Sequence, residues 1–250
     1  MQIVNFRDFG GVTVEGGARV ATGALYRCGQ PSPLGTTPFD AIAALDIAAV
    51  VDLRFPDEVR SAIFPWPDHS RPVRIHMENG DVGNAPHHAF FSASLETVED
   101  VHRLYGAFYA GLPEDPRYQS LITRALLAFA KADGPVLVNC SAGKDRTGFL
   151  AALLLRVLGA RDDDILADYM LSNAPPAKAA LRPEIERRFA AHGNMLPRED
   201  ILDAILGVSP AYLESSFAAI AAMAGSLPAY LDQIGVDDGA RATLRTRLLA

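Results

Sequence analysis

An α/β fold, with a mostly parallel sheet flanked by helices, is what this sequence predicts, and three observations lead there. The run Ala48–Leu53 is short, apolar and bounded by charge, which suits a strand buried on both faces of a parallel sheet. The run Pro135–Val138 has the same character, and a glycine-containing turn carries it into a long apolar helix through Ala151, Leu153, Leu154, Leu155 and Val157. Between these runs the apolar residues take helical spacing. Strands and helices in this order build layers, with ligands at the carboxyl ends of the strands.

Taken in order, the first 35 residues are punctuated by glycine and carry short β-like runs at Val12–Val14, Arg19–Ala21 and Leu25–Arg27. Thr37-Pro38-Phe39-Asp40 has the pattern of a capped helix start, continuing through Ile42 and Leu45. Pro72–Met77 reads as a further strand. Glu78–Ser94, rich in Gly, Asn, Pro and His, reads as a loop on the rim of the site. Val98, Val101, Leu104, Tyr105 and Phe108 mark one helix and Tyr118–Ala132 another. After Asn173-Ala174-Pro175-Pro176 the pattern is helical only, with about four segments broken at Gly193, Pro197, Gly207–Pro210 and Gly235.

Composition narrows the class. With 250 residues, 49% of them apolar and 21% charged, a packed globular core is expected. No apolar run reaches the length of a membrane span, so no integral membrane segment is expected. Met1 is followed almost at once by structured-looking sequence, leaving no room for a signal peptide. Cytoplasm is the default location, with export as a signal-less effector the alternative. Two cysteines argue against a disulfide framework, and no Cys/His spacing suggests a metal site. A net charge of −7 disfavours nucleic acid as a partner. Oligomeric state is not legible.

The chemistry concentrates in residues 139–148, Asn-Cys-Ser-Ala-Gly-Lys-Asp-Arg-Thr-Gly. A loop between a strand end and a helix start aims successive N–H groups at one point, and the helix terminus adds partial positive charge there. Such a field favours a thiolate, so Cys140 reads as a nucleophile. Arg146 follows it by five intervening residues, where its planar fork matches two oxygens of a phosphoryl group. Taken singly, each residue has a plainer reading: a packed thiol, a surface arginine, a turn glycine. Together they describe a phosphatase site, in which Ser141, Ala142, Gly143, Lys144, Asp145, Arg146 and Thr147 bind phosphate.

These residues resemble the signature loop of the cysteine-based protein tyrosine phosphatase superfamily. The resemblance is closest to the atypical bacterial and fungal tyrosine phosphatases, a group with a secreted mycobacterial tyrosine and phosphoinositide phosphatase among its members. Asn5–Gly11, Leu25–Cys28, Val51–Arg54 with Glu58, Asp168–Asn173 and the Tyr230–Gly235 stretch continue the likeness over nearly the whole chain. It implies one phosphatase domain over 1–250, with an α/β catalytic core at 1–176 and helices at 177–250 that either complete the core or cover the pocket as a lid. Arg182, Arg187, Arg188 and His192 would then face the phosphate or line a solvated helix face. Arg7, Asp8, Asp52 and Arg54 would be ion pairs bracing the loop. The group's loop is normally preceded by histidine; here the position is Asn139, which donates through an amide and carries no charge.

The resemblance further implies a phosphocysteine intermediate on Cys140, with no cofactor or metal called for. Thr147 either donates to the departing thiolate or caps the helix. A general acid must protonate the leaving oxygen. Many members use an aspartate of a Trp-Pro-Asp loop a few tens of residues before the cysteine, but Trp66-Pro67-Asp68 stands 72 residues ahead of Cys140 and reads as a coincidence. Asp145 is the preferred acid, with Asp81 and Asp100 as rivals. Lys144 adds charge at the rim, as in loops that accept phosphoinositides. Cys28 could cross-link to Cys140 on oxidation, though a packed thiol is the default. Phosphotyrosine proteins are the expected substrate class, a dedicated phosphoinositide phosphatase the alternative, and an inactive phosphate-binding module a third reading.

Overall fold

The computed structural model describes residues 3–30, 40–61, 64, 66, 72–77, 91 and 95–250. Five strands, β1 (Arg7–Asp8), β2 (Leu25–Cys28), β3 (Ala49–Asp52), β4 (Val73–His76) and β5 (Val136–Asn139), form one sheet in the order β1-β2-β5-β3-β4. Four of them run parallel; β1 is an antiparallel edge on β2. β3 and β5 are buried along their full length, as their unbroken apolar runs require. Cys28 and Asp52 both lie in register with Asn139, so β5 ends at the middle of the sheet with a neighbour on each side. The runs at Val12–Val14 and Arg19–Ala21 do not enter the sheet. They make isolated antiparallel bridges, Thr13 to Arg19, Val14 to Ala160 and Val20 to Leu249, because the glycines between them turn the chain too often for a ladder.

Among the described residues the α-helices are α1 (Asp40–Ala43), α2 (Pro56–Ser61), α3 (Val98–Gly111), α4 (Pro116–Lys131), α5 (Asp145–Leu158), α6 (Asp162–Met170), α7 (Pro175–Ala191), α8 (Glu199–Leu206), α9 (Pro210–Ala224), α10 (Leu227–Gln233) and α11 (Asp238–Leu248). The capping pattern at Thr37 and the rim segment 78–90 lie outside the described residues. α3 opens with a reciprocal capping box between Thr97 and Asp100, and α4 with an Asp115 cap and Pro116 in its first turn. α5, buried on nearly every side, is the central helix of the molecule. The C-terminal part holds one helix more than its breakers suggested. Gly225 takes a left-handed φ of 76° and ends α9, and Ser226 caps α10 at once, so an unbroken alanine-rich run hides a turn.

The later helices bury their apolar faces in the same cluster as the sheet, with Val138, Leu154, Ile205, Tyr212 and Leu244 all members. α3 packs along α9, where the Tyr105 and Tyr212 rings stack at 4.9 Å and Ser216 donates to the Tyr109 carbonyl at 2.7 Å. Asn173, just before α7, donates to Val208 O at 2.9 Å and accepts from Val208 N at 2.7 Å. The start of α7 and the end of α8 are thereby pinned together.

Candidate active site

The loop from Cys140 to Lys144 leaves the carboxyl end of β5 and runs into α5. Gly143 has a φ of 68°, and a Cβ there would fall 2.4 Å from the backbone of Cys28 and Gly29. Only glycine satisfies both the dihedral and the approach. The loop carbonyls are tied from outside: Asn5 donates to Ala142 O at 2.9 Å, the Gln30 amide to Ser141 O at 3.0 Å and Arg27 to Gly143 O at 3.0 Å. Carbonyls held on one side turn the N–H groups to the other, and the Gly143 N–H points at Cys140 Sγ from 3.2 Å. The N-terminal segment and β2 thus build the back of the cup.

Arg27 is fully buried and shares Asp168 with Arg7, at 2.6 and 2.8 Å. Burial pushes the Asp168 carboxyl up, but the Arg27 and Arg7 guanidiniums outweigh it and hold it below the usual carboxylate range. The same burial, with Arg27 beside it, lowers Arg7 to about 10. Of the expected bracing pairs, Asp52 and Arg54 do pair, at 2.7 Å. Asp8 has no ion pair among the described residues; it accepts from the amides of Gly10 and Gly23 and so shapes a turn. Asn139 donates to Asp52 Oδ1 at 2.9 Å, so its amide ties β5 to β3 and leaves the loop to other donors. A Cβ on Gly148 would fall 2.8 Å from the Tyr169 ring, so glycine there allows α6 to press against the first turn of α5.

Arg146 is gripped end-on by a carboxylate whose only mark in the sequence is its place beside the Val51–Arg54 block. Glu58, from α2, accepts from both terminal nitrogens at 2.6 and 2.8 Å, and Leu53 O takes another hydrogen at 3.0 Å. Glu58 also receives the Ser141 hydroxyl and the Phe55 amide, at 2.9 Å for the latter. Its signal was faint: a glutamate in the first turn after Pro56, where a capping role looks sufficient.

Lys144 departs from its expected place on the rim. Its side chain is buried, and its ammonium donates to Tyr105 OH at 2.9 Å, Asp145 Oδ1 at 3.0 Å and Gly207 O at 2.8 Å. Asp145 accepts on the same oxygen from Tyr109 OH at 3.1 Å. Thr147 lies inside the first turn of α5, not at its cap; its buried hydroxyl has no hydrogen-bond partner among the described residues. Asp100 is engaged in capping α3, while Asp68 and Asp81 lie outside the described residues. Cys28 is a free thiol packed behind the loop, pushed up by burial and by the neighbouring Cys140.

Cys140, Ser141, Ala142, Lys144, Asp145 and Arg146 line one pocket. Its walls are apolar, from Phe91, Phe108, Leu181, Ile185 and Ile205, with Glu184 and Arg188 of α7 at its edge. Arg187 and Arg188 both bond Glu184 at 2.8 Å, whereas Arg182 pairs with Glu186 and Glu199. Among the described residues no cluster of His, Cys, Asp and Glu has the geometry of a metal site.

A thiol facing a backbone amide, beside a clamped arginine at the end of the central strand, agrees with a comparison against known families. The model of the tyrosine phosphatase family matches residues 1–250. The chain belongs to the tyrosine phosphatase family. Among its relatives is a Cupriavidus necator protein provisionally named a tyrosine-protein phosphatase, 33% identical over 94% of this chain and 83% of that one. The triple specificity protein phosphatase PtpB of Mycobacterium tuberculosis is 28% identical over 98% and 96% of the two chains. A tyrosine-protein phosphatase of Nostoc commune is 28% identical over 90% of this chain and 74% of its own. In this phosphatase the loop from Cys140 to Arg146 is held in shape by contacts from the N-terminal segment, β2 and α2, with α6 behind Arg27.

Proposed function

We propose that this phosphatase hydrolyses phosphotyrosine through a phosphocysteine on Cys140, and that it accepts other phosphomonoesters less readily. The observation that carries the reading is the Cys140 Sγ at 3.2 Å from the Gly143 amide, in one pocket with an Arg146 already aimed by Glu58. Two hydrogens of NH1 and one of NH2 go to Glu58 and Leu53. The Nε–H and the other NH2 hydrogen make the side-on edge of the fork, which matches two phosphoryl oxygens. The amides from Ser141 to Asp145 take the remaining charge.

In the first step Cys140 thiolate forms the S–P bond as the P–O bond to the phenol breaks, and the Asp145 carboxyl gives its proton to the leaving oxygen. In the second, water attacks phosphorus, its proton returns to Asp145 and the thiolate leaves, aided by the Thr147 hydroxyl. The apolar walls favour an aryl ester over an alkyl one. Breadth beyond phosphotyrosine draws on the likeness to PtpB, a triple specificity enzyme by name. The inward pairing of Lys144 removes the extra cation on which a dedicated phosphoinositide phosphatase would rest. Residues 1–176 serve as catalytic core and 177–250 as helical elaboration of the same domain, with Leu181, Ile185 and Arg188 over the pocket. Two free thiols suit a reducing cytoplasm.

The test is a panel of phosphotyrosine, phosphoserine and phosphoinositide substrates with wild type and Cys140→Ser. Turnover of phosphotyrosine that disappears in Cys140→Ser is expected. Turnover that persists in the variant would remove Cys140 as nucleophile, and inositol-phosphate release well ahead of phosphotyrosine hydrolysis would move the assignment to lipid.

A further inference from the structure

Asp145 is held by groups beyond its own loop. Lys144 and Tyr109 both donate to Oδ1, at 3.0 and 3.1 Å, and Oδ2 has no hydrogen bond among the described residues. An ammonium can only donate, so Oδ1 must act as acceptor and a proton on the carboxyl must sit on Oδ2. Tyr109 belongs to α3 and is itself fixed: its OH lies 2.7 Å from Tyr169 OH on α6, and the two rings pack edge to face at 6.4 Å. Burial holds both phenols well above their ordinary range, so they remain neutral donors while Asp145 loses and regains its proton. With Tyr109 donating to Asp145, Tyr169 donates to Tyr109, a chain in which each bond polarises the next.

We propose that Tyr109 is a positioning residue for phosphoryl transfer: its hydroxyl, steadied by Tyr169, fixes which oxygen of Asp145 bears the proton and turns that oxygen toward the leaving group. The inference rests on Asp145 being the general acid. One donor on Oδ1 leaves the carboxyl group free to swing about its bond to the side chain. Two donors from different directions define its plane. Misplacing a reacting group by a fraction of an ångström is enough to slow proton delivery. Such a loss weighs most where the leaving oxygen is a poor one.

The experiment compares kcat/KM of wild type, Tyr109→Phe, Tyr169→Phe and Asp145→Asn on two aryl phosphates. One is a phosphotyrosine peptide; the other releases a strongly acidic fluorinated phenol that departs without protonation. Tyr109→Phe keeps the ring and its packing. It is expected to lower kcat/KM about tenfold on phosphotyrosine and less than about twofold on the acidic phenol. Tyr169→Phe should show the same selectivity at smaller size, and it stands in if Tyr109→Phe does not fold. An equal fall on both substrates, the mark of a structural role, overturns the proposal, as does no fall at all. Asp145→Asn separates the two layers. If it fails to discriminate between the substrates, the acid assignment goes and the positioning role with it. If it discriminates while neither phenylalanine variant does, the positioning role alone is wrong.

Discussion

At the scale of single residues, the clearest dependence is that of Arg146 on Glu58. The pair is buried and bidentate, so neither charge has water to fall back on. Glu58→Gln keeps the shape and removes the charge, leaving the guanidinium uncompensated. A loss of about 3–5 kcal/mol is expected in urea unfolding. Inorganic phosphate should restore part of the lost midpoint, because it supplies the missing negative charge; no response to phosphate would mean that Arg146 does not face the anion site. Gly143→Ala tests the cup itself. Its Cβ would meet backbone atoms of Cys28 and Gly29, which cannot give way as a side chain could, at a φ that alanine avoids. Activity on aryl phosphates is expected to fall by about two orders of magnitude, with tungstate binding lost in parallel. Retained tungstate affinity would contradict the role given to the loop's shape. That Cys140, Asp145 and Arg146 share one pocket was legible because they lie in one local motif. Glu58 was not, since its partner is 88 residues away and nothing local distinguishes it from a cap. Lys144 was placed in the right loop and turned the wrong way, because spacing carries no information on where a side chain finds its acceptors.

At the scale of elements, the joint between α7 and α8 depends on one amide. Asn173 satisfies both the N–H and the C=O of Val208, and a Cβ on Gly207 would lie 2.9 Å from its Oδ1. Asn173→Ala removes two hydrogen bonds at a half-buried position, worth about 1–3 kcal/mol together. Amide exchange across 175–206 should speed up in this variant while β5 stays protected; exchange unchanged in α7 and α8 would show that the joint is held elsewhere. Buried parallel strands and the longer helices were readable from periodicity. The short runs near Val12 and Arg19 were readable as extended but not as lying outside the sheet, since pairing is decided partly by partners remote in sequence. The turn at Gly225 was overlooked because apolar residues continue on both sides of it.

At the scale of the whole molecule, Asp168 joins the N-terminal segment, the sheet and α6 through Arg7 and Arg27. Its folded-state pKa lies below the ordinary carboxylate value of about 3.9. The stability it contributes is therefore present above the unfolded value and lost as pH falls through the folded one. Asp168→Asn should lower the urea midpoint at pH 7, and the gap to wild type should close as pH drops below about 4. A gap that stays constant down to pH 2 would exclude this ionisation as its source. The chain's far end is secured in a comparable way. Arg247 of α11 donates to the carbonyls of Phe129 and Ala132, at 2.9 and 2.7 Å, and also to Gly134 O, so α4 ends on a cation. Arg247→Ala is expected to cost about 1–3 kcal/mol in the same assay, and a midpoint equal to wild type would refute it. Long-range ties of this kind run along nearly the whole chain, from Asn5 to α11. Which residues met across those distances was visible only in three dimensions.

The ammonium of Lys144 touches Asp145 on one side and, 63 residues later in the chain, the carbonyl of Gly207 on the other. An engineer who transplants the C-terminal helices from a relative, hoping to alter only what the enzyme recognises, will also be moving the carbonyl that holds Lys144 against Asp145, the proton donor proposed above. Chimeras of this scaffold are best cut after residue 207, so that the carbonyl travels with the lysine that depends on it.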